Sequence, residues 1–357
     1  MENSPELSER KKVILYSAID NYIKLASPIT SLLVQQTELH DLCTATLRNE
    51  LNALEAMGFL KQLHTSSGRV PTTKGYRFFV NETLKDIKCN GKNLSDIKNK
   101  MFSRSSNLSE IVDCISKVVS TTTNYPTVFM FDGFENLLVQ GIKTVYLLNN
   151  QILVLVETNV GAISNTIFAQ GNITKQDCDN ASQVFTSIFG GNSIKFLTQN
   201  IEDFSLSIKK SMKEYESIFK LVLQVLDVYY NKTKSKVSNE GIIKLLENKE
   251  LKNVENARNI LTILDDDEKL KNLMEIKEDN DGISVNIGDE VEMGKLCDCA
   301  IIKTPLVLDG RRIATVGVIG PERIDYANIA SVLKFVSDEL KDKLKKGGKY
   351  GTGKQKK

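Results

Sequence analysis

Four residues at helical spacing could read nucleic-acid bases. Ala45, Arg48, Asn49 and Asn52 fall on one side of a helical stretch, nearly opposite Leu47, Leu51 and Leu54. Arg can bond in paired fashion to guanine O6 and N7, and Asn to adenine N6 and N7. The leucines supply an apolar stripe for a core. Alone, such a helix reads better as an ordinary surface face. The residues that follow favour nucleic acid. No acidic residue occurs between Glu55 and Glu82, while Lys61, His64, Arg69, Lys74 and Arg77 are basic and Thr65, Ser66 and Ser67 add hydroxyl donors. That is a local positive patch in a chain of net charge +2, which is what contact with phosphate requires.

Other chemistry is scarce. The two histidines, His40 and His64, are not at metal-ligand spacing, and no HExxH or GxSxG string occurs. Gly348 to Lys354 superficially matches a phosphate-binding loop, but Gln355 stands where a Ser or Thr should bind Mg²⁺, and no strand precedes it. Cys297 and Cys299 would share one strand face, yet two thiolates do not complete a tetrahedral zinc site, so burial is the expectation. The run Asp265 to Glu268 reads as a helix N-terminus, where acids favour the positive end of the dipole. His64 could report pH, though a neutral donor is the plainer reading. Tyr76 and Phe78 could stack on bases, though core packing suits them better. No convergent catalytic set emerges, so the chain does not read as an enzyme.

The elements that must position these residues are readable in order. Ser8 to Leu25 is a helix, with Leu15, Ile19, Tyr22 and Ile23 on its buried face, and Ala26-Ser27-Pro28 breaks it. Thr30 to Gln36 is a short second helix. Thr44 to Met57 is the third, closed by Gly58. Phe59 to Leu63 and Arg69-Val70 form a small hairpin around the loop His64 to Pro71, and a fourth helix follows to about Leu84. Two helices across a tight turn, then a hairpin, is the winged helix-turn-helix arrangement.

The 357 residues suggest two or three domains, and 41% hydrophobic with 26% charged residues is ordinary for a globular chain. No apolar run approaches the roughly 20 residues of a membrane span, and the polar start lacks a signal peptide, so the expected location is the cytoplasm. Strands are expected at Thr127 to Phe131, Leu137 to Leu148, Ile152 to Thr158 and Gly161 to Phe168, with a turn at Asn149-Asn150. A polar, mainly helical stretch runs from about 171 to 280. Strands resume at Ile283 to Ile287, Cys299 to Leu308 and Ile313 to Ile319, with Asp309-Gly310 as a turn. Tyr326 to Lys345 is an amphipathic helix. The strands on either side of the helical stretch are expected to share one α/β sheet, with the helices as an insertion.

Two groups of strings then identify a resemblance. Thr44-Ala45-Thr46-Leu47-Arg48-Asn49-Glu50, His64-Thr65-Ser66-Ser67-Gly68-Arg69-Val70-Pro71-Thr72 and Gly75-Tyr76-Arg77 resemble the HrcA heat-inducible transcription repressor family. Asn286-Ile287-Gly288-Asp289-Glu290 and Val318-Ile319-Gly320-Pro321-Glu322-Arg323-Ile324-Asp325-Tyr326 are similar to that family's C-terminal strings. The resemblance spans the chain. Cys43 stands where the family usually has Ser as helix cap, and Cys is a poor cap, so the cap is expected to move to Thr44 or Asp41. Ile324 replaces the usual Met.

The resemblance implies an α+β multidomain fold: a winged helix-turn-helix at 1–88, a linker at 89–106, a GAF-like α/β domain in two parts at 107–170 and 281–345, an inserted mainly helical dimerisation domain at 171–280, and a disordered basic tail at 346–357. It implies a dimeric repressor of chaperone operons that binds double-stranded DNA at an inverted-repeat CIRCE operator. A GroE-type chaperonin is the implied modulator. Ala45, Arg48, Asn49 and Asn52 are then expected in the major groove, with Thr44 and Thr46 also expected to bind DNA. His64, Thr65, Ser66 and Arg69 are expected on phosphate or the minor groove, and Lys74 and Arg77 near the backbone. No cofactor, metal or membrane is implied. The competing reading is a winged-helix regulator whose GAF-like domain senses a small molecule.

Overall fold

The computed structural model describes residues 7–37, 39–62, 68–85, 87, 108–131, 137–159, 162–169, 173–200, 202–206, 216–232, 235–237, 241–243, 254–276, 282–291, 299–308 and 311–348. The linker 89–106, the residues after 348, Cys297, and His64, Thr65 and Ser66 lie outside them. The fold is mixed α and β, with helices and a hairpin at the N-terminus and an α/β region after it.

Helix α1 spans Glu9–Leu25, with the Ser8 hydroxyl accepting from the Lys11 N–H. Helix α2 is Ser31–Thr37 and α3 is Thr44–Ala56. The Thr30 hydroxyl accepts from Leu33 N at the start of α2 (3.1 Å), Asn21 of α1 donates to the Thr37 hydroxyl (2.7 Å), and Gln35 donates to the Leu42 carbonyl (2.9 Å). These side-chain bonds fix the turn between the two helices, because groups at helix ends have no partner within the helix. Gly58, at φ +78°, turns the chain out of α3 into β1 (Leu60–Gln62). Strand β2 (Arg69–Pro71) returns antiparallel with Leu60 facing Pro71, and α4 (Thr73–Lys85) follows. Ile29 exchanges two backbone hydrogen bonds with Arg69, of 2.7 and 2.9 Å. A Cβ on Gly68 would sit 2.6 Å from the Ile29 carbonyl oxygen, so only glycine allows that approach.

The five-stranded sheet is antiparallel, in the order β7-β3-β10-β9-β8: β7 Ser235–Val237, β3 Thr127–Phe131, β10 Arg311–Pro321, β9 Cys299–Leu308, β8 Ser284–Ile287. Both its faces are covered. Phe129, Ile302, Val316 and Val318 meet α5 (Leu108–Thr123) and α11 (Tyr326–Gly348). Val128, Met130, Ile301 and Ile319 meet α9 (Val254–Leu264) and α10 (Asp267–Met274). That double burial explains why Cys299-Ala300-Ile301-Ile302 is continuously apolar instead of alternating. As the acidic run suggests, Asp266 caps α10, accepting from the N–H groups of Glu268 and Lys269.

The single-sheet expectation needs correction. β4 (Val139–Tyr146), β5 (Gln151–Thr158) and β6 (Ala162–Phe168) form their own antiparallel sheet. The turn at Asn149 and Asn150, both at positive φ, closes β4 onto β5 locally. The outer edge of β4 is then taken by α6 (Lys175–Phe189). Ser182 and Thr186, one turn apart, accept from the N–H groups of Thr144 (2.8 Å) and Ile142 (2.9 Å), so that edge is closed to another strand. The helical stretch also divides. Helices α6, α7 (Ile194–Gln199) and α8 (Glu216–Lys232) share a core with β4–β6, whereas α9 and α10 belong to the five-stranded sheet.

Candidate nucleic-acid interface

The outer face of α3 is open along most of its length. Thr44, Ala45, Arg48, Asn49 and Asn52 are exposed, and Leu47, Leu51 and Leu54 are fully buried beneath them. Arg48 and Asn49 have no hydrogen-bond partner among the described residues. Both are held by their helix and free to meet a ligand. The one carboxylate in the middle of α3, Glu50, faces α1, where Arg10 (3.5 Å) and Lys11 (3.3 Å) neutralise it. The exposed face therefore keeps its positive character.

Cys43 is the N-cap of α3, with φ −72° and ψ 150°, and its side chain makes no capping bond. The cap has not moved to Thr44 or Asp41. The Cys43 sulfur lies 3.1 Å from the Thr46 hydroxyl, which holds the thiol below its ordinary pKa together with nearby backbone N–H groups. Thr46 is half-buried and turned to that contact rather than to the open face.

Asn52, Arg69, Lys74 and Arg77 are engaged within the protein. Arg69 is 9% exposed; its Nε donates to Glu55 at 2.7 Å, and its other guanidinium nitrogen donates to the Asn52 side-chain oxygen. Arg69 thus ties the hairpin to α3, and Asn52 is its acceptor. The Lys74 ammonium donates to the Met57 carbonyl at the end of α3 (3.0 Å) and sits 4.4 Å over the Phe59 ring. Arg77 points away from α3. It donates from Nε to Glu290 (2.8 Å), again to Glu290 from a terminal nitrogen, and to the Val285 carbonyl (2.7 Å). Tyr76 is 3% exposed and lies beside Tyr326, and Phe78 meets Phe59 edge-on; both pack in the core.

The residues that seat these N-terminal helices and hairpin on the rest of the molecule were not picked out by residue chemistry. Glu290 holds Arg77 and also accepts from Ile287 N at 3.0 Å. Glu322 accepts from the Thr73 hydroxyl (3.3 Å), and Arg323 donates to the Ile23 carbonyl at the end of α1. Asp325 caps α11 through the Asn328 N–H, and Tyr326 is buried against Phe79. All of them fall inside the two C-terminal strings noted above, which was the available signal. One apolar core runs unbroken from α1, α3 and α4 into β9, β10 and α11.

No helix among the described residues is long and apolar enough to cross a membrane, and no metal-binding cluster occurs among them. A family model described as the HrcA protein C terminal domain matches residues 109–330. The chain is 30% identical over 343 residues to the heat-inducible transcription repressor HrcA of Acetivibrio thermocellus, covering 95% of this chain and 97% of the relative. It is 28% identical to the Brevibacillus brevis repressor of the same name, covering 94% and 97%. A crystal structure of a hypothetical protein superposes with a TM-score of 0.75 at 20% identity, over 96% of this chain and 99% of that one, which supports the fold.

Proposed function

The chain belongs to the HrcA family of heat-inducible transcription repressors, regulators rather than enzymes, and from that premise we propose that it binds an inverted-repeat operator of the CIRCE type as a homodimer and that a GroE-type chaperonin sustains its DNA-binding form. On this reading residues 1–88 are a winged helix-turn-helix head. The five-stranded sheet with α5, α9, α10 and α11 is a GAF-like body. The insertion is the β4–β6 sheet with α6, α7 and α8. The chain works in the cytoplasm, on the nucleoid.

The observation that carries this is the open face of α3, with Arg48 and Asn49 unengaged among the described residues above a fully buried leucine stripe. Thr44 and Ala45 border that pair, and Arg48 suits guanine. His64, Thr65 and Ser66, between β1 and β2 in the sequence, would contact phosphate. A palindromic site demands a two-fold axis. The outer face of the β4–β6 sheet is a fitting surface for the second copy: Val145 and Phe168 are exposed there beside half-buried Leu153 and Leu155.

The test is binding of the full chain to an intact inverted repeat and to a half-site-scrambled control across a salt series, with and without chaperonin. Preference for the intact repeat, strengthened by chaperonin, is expected. Each base mismatch in a half-site should cost about 1–3 kcal/mol. Equal, steeply salt-dependent binding to both DNAs would overturn the operator reading.

A further inference from the structure

Head and body also meet around a cleft of about 440 Å³ that the DNA-reading face does not use. Leu84 and Lys85 line it from the end of α4, Ile283 from just ahead of β8, and Lys334, Asp338 and Lys341 from α11. The volume is that of a small-molecule site. Its lining combines an apolar wall with excess positive charge. Leu84 and Ile283 are half-buried and packed against the main core. Among the described residues that line it, three ammonium groups face one carboxylate, that of Asp338. Lys85 is already paired with Glu82 at 2.7 Å. Lys334 donates to the neutral Ile87 carbonyl at 3.3 Å, which leaves its charge uncompensated. Lys341 has no ion-pair partner among the described residues.

We propose that this cleft binds a small organic anion, with its charged group on Lys334 and Lys341 and its apolar part on Leu84 and Ile283, and that its occupancy holds the head to the body. An anion without an apolar part would leave the Leu84–Ile283 wall in water, and a neutral apolar molecule would leave the two lysines uncompensated. The coupling follows from the position. One wall is the last turn of the head's α4, and the other is the body's α11 and β8 edge, two residues from the Val285 carbonyl that Arg77 holds. A ligand touching both binds one head–body arrangement better than others and shifts the population towards it. DNA that selects the same arrangement must then tighten the ligand by the same factor.

The experiment titrates the full chain with hexanoate and, separately, with phenylphosphate, at ionic strength matched with chloride. The two arms distinguish a carboxylate from a phosphomonoester source. Saturable binding of at least one probe, one per chain, is expected, and about tenfold weaker binding in the Lys334→Gln/Lys341→Gln double variant. Both lysines are at the surface of α11, and an unchanged melting curve of the unliganded variant shows that it folds. No saturable binding of either probe, or equal binding by the variant, overturns the site. The titration needs no DNA, so the site stands or falls apart from the operator reading; the coupling rests on that reading. With a probe bound at saturation, operator affinity should change about fivefold or more. Binding that leaves operator affinity unchanged in a preparation that discriminates the operator overturns the coupling.

Discussion

Arg48 and Arg69 are both arginines in the basic stretch, and the structure gives them different tasks. Arg48 stands on the outer face of α3 without a hydrogen-bond partner among the described residues, so Arg48→Ala should lose discrimination between operator and random DNA while the melting midpoint stays put. Equal losses on both DNAs would sink that assignment. Arg69 is nearly enclosed and joins Glu55 and Asn52. Removing it strands a half-buried carboxylate, so Arg69→Ala should destabilise the fold by roughly 1–3 kcal/mol, read from denaturant unfolding. A steep fall in the salt slope of DNA binding with unchanged stability would show Arg69 on phosphate instead. Cys43 offers a gain. It holds ideal cap dihedrals without a cap bond, and a serine hydroxyl there would accept from the first turn of α3. Cys43→Ser should raise stability by about 0.5–1 kcal/mol, seen as a higher midpoint, and no rise would mean that the Thr46 contact already compensates. Burial by periodicity was legible at this scale, since the 47-51-54 leucine stripe is fully buried. The partner of each arginine was not, because a guanidinium reaches far enough to choose between solvent and a carboxylate 14 or 213 residues away.

Elements were legible where local chemistry decides them and illegible where pairing does. The expected strand Thr127 to Phe131 is observed over those residues, and the Asn149-Asn150 turn sits between β4 and β5. Alternation says which face of a strand is buried, but β4–β6 alternate as well against their own helices as they would against a shared sheet. The hydroxyls of Ser182 and Thr186, with the backbone of Gly191 and Asn192 pairing Val139, close the β4 edge and exclude the shared sheet, and nothing in serine or threonine at that spacing announces it. A second element is held by an equally silent residue. Lys303, on β9 and 5% exposed, donates to the carbonyls of Leu273 and Glu275 (2.6 Å each), closing the C-terminal end of α10. Burial pushes its pKa down from 10.5 to about 8, Glu275 opposes this and Arg312 adds to it. The folded chain therefore binds this proton less tightly than the unfolded chain. Between about pH 8 and 10.5 the unfolded state holds more protons, so stability rises with pH across that window. Relative to Lys303→Met, the natural chain should gain up to a few kcal/mol of unfolding free energy between pH 8 and 10.5. Parallel pH profiles for the two proteins would show that the lysine titrates normally.

The strings that carry the family resemblance lie at opposite ends of the chain, and in the molecule they meet. Arg77 belongs to the first group and Glu290 to the second; Thr73 faces Glu322, and the Ile23 carbonyl faces Arg323. The C-terminal strings are thus a seat for the head as well as parts of the body, a role that spacing within one segment could not reveal. A head seated on a shared core presents α3 at a fixed angle, and the proposed dimer would present two copies at a fixed separation. On that reading, binding of the second half-site would cost little extra ordering, and the intact repeat would be favoured over a half-site by the effective concentration of the second head. Glu290→Gln keeps the shape but removes the charge that holds Arg77, whose side chain is 30% exposed. The head should loosen without unfolding. Affinity for the intact repeat should fall about tenfold while affinity for an isolated half-site stays within about twofold, because only the repeat depends on the angle between heads. The measurement is titration of both DNAs with the same preparation of the natural chain and the variant. Parallel losses on the two DNAs would mean that Glu290 supports the reading face itself, and no loss on either would mean that the shared apolar core alone sets the angle.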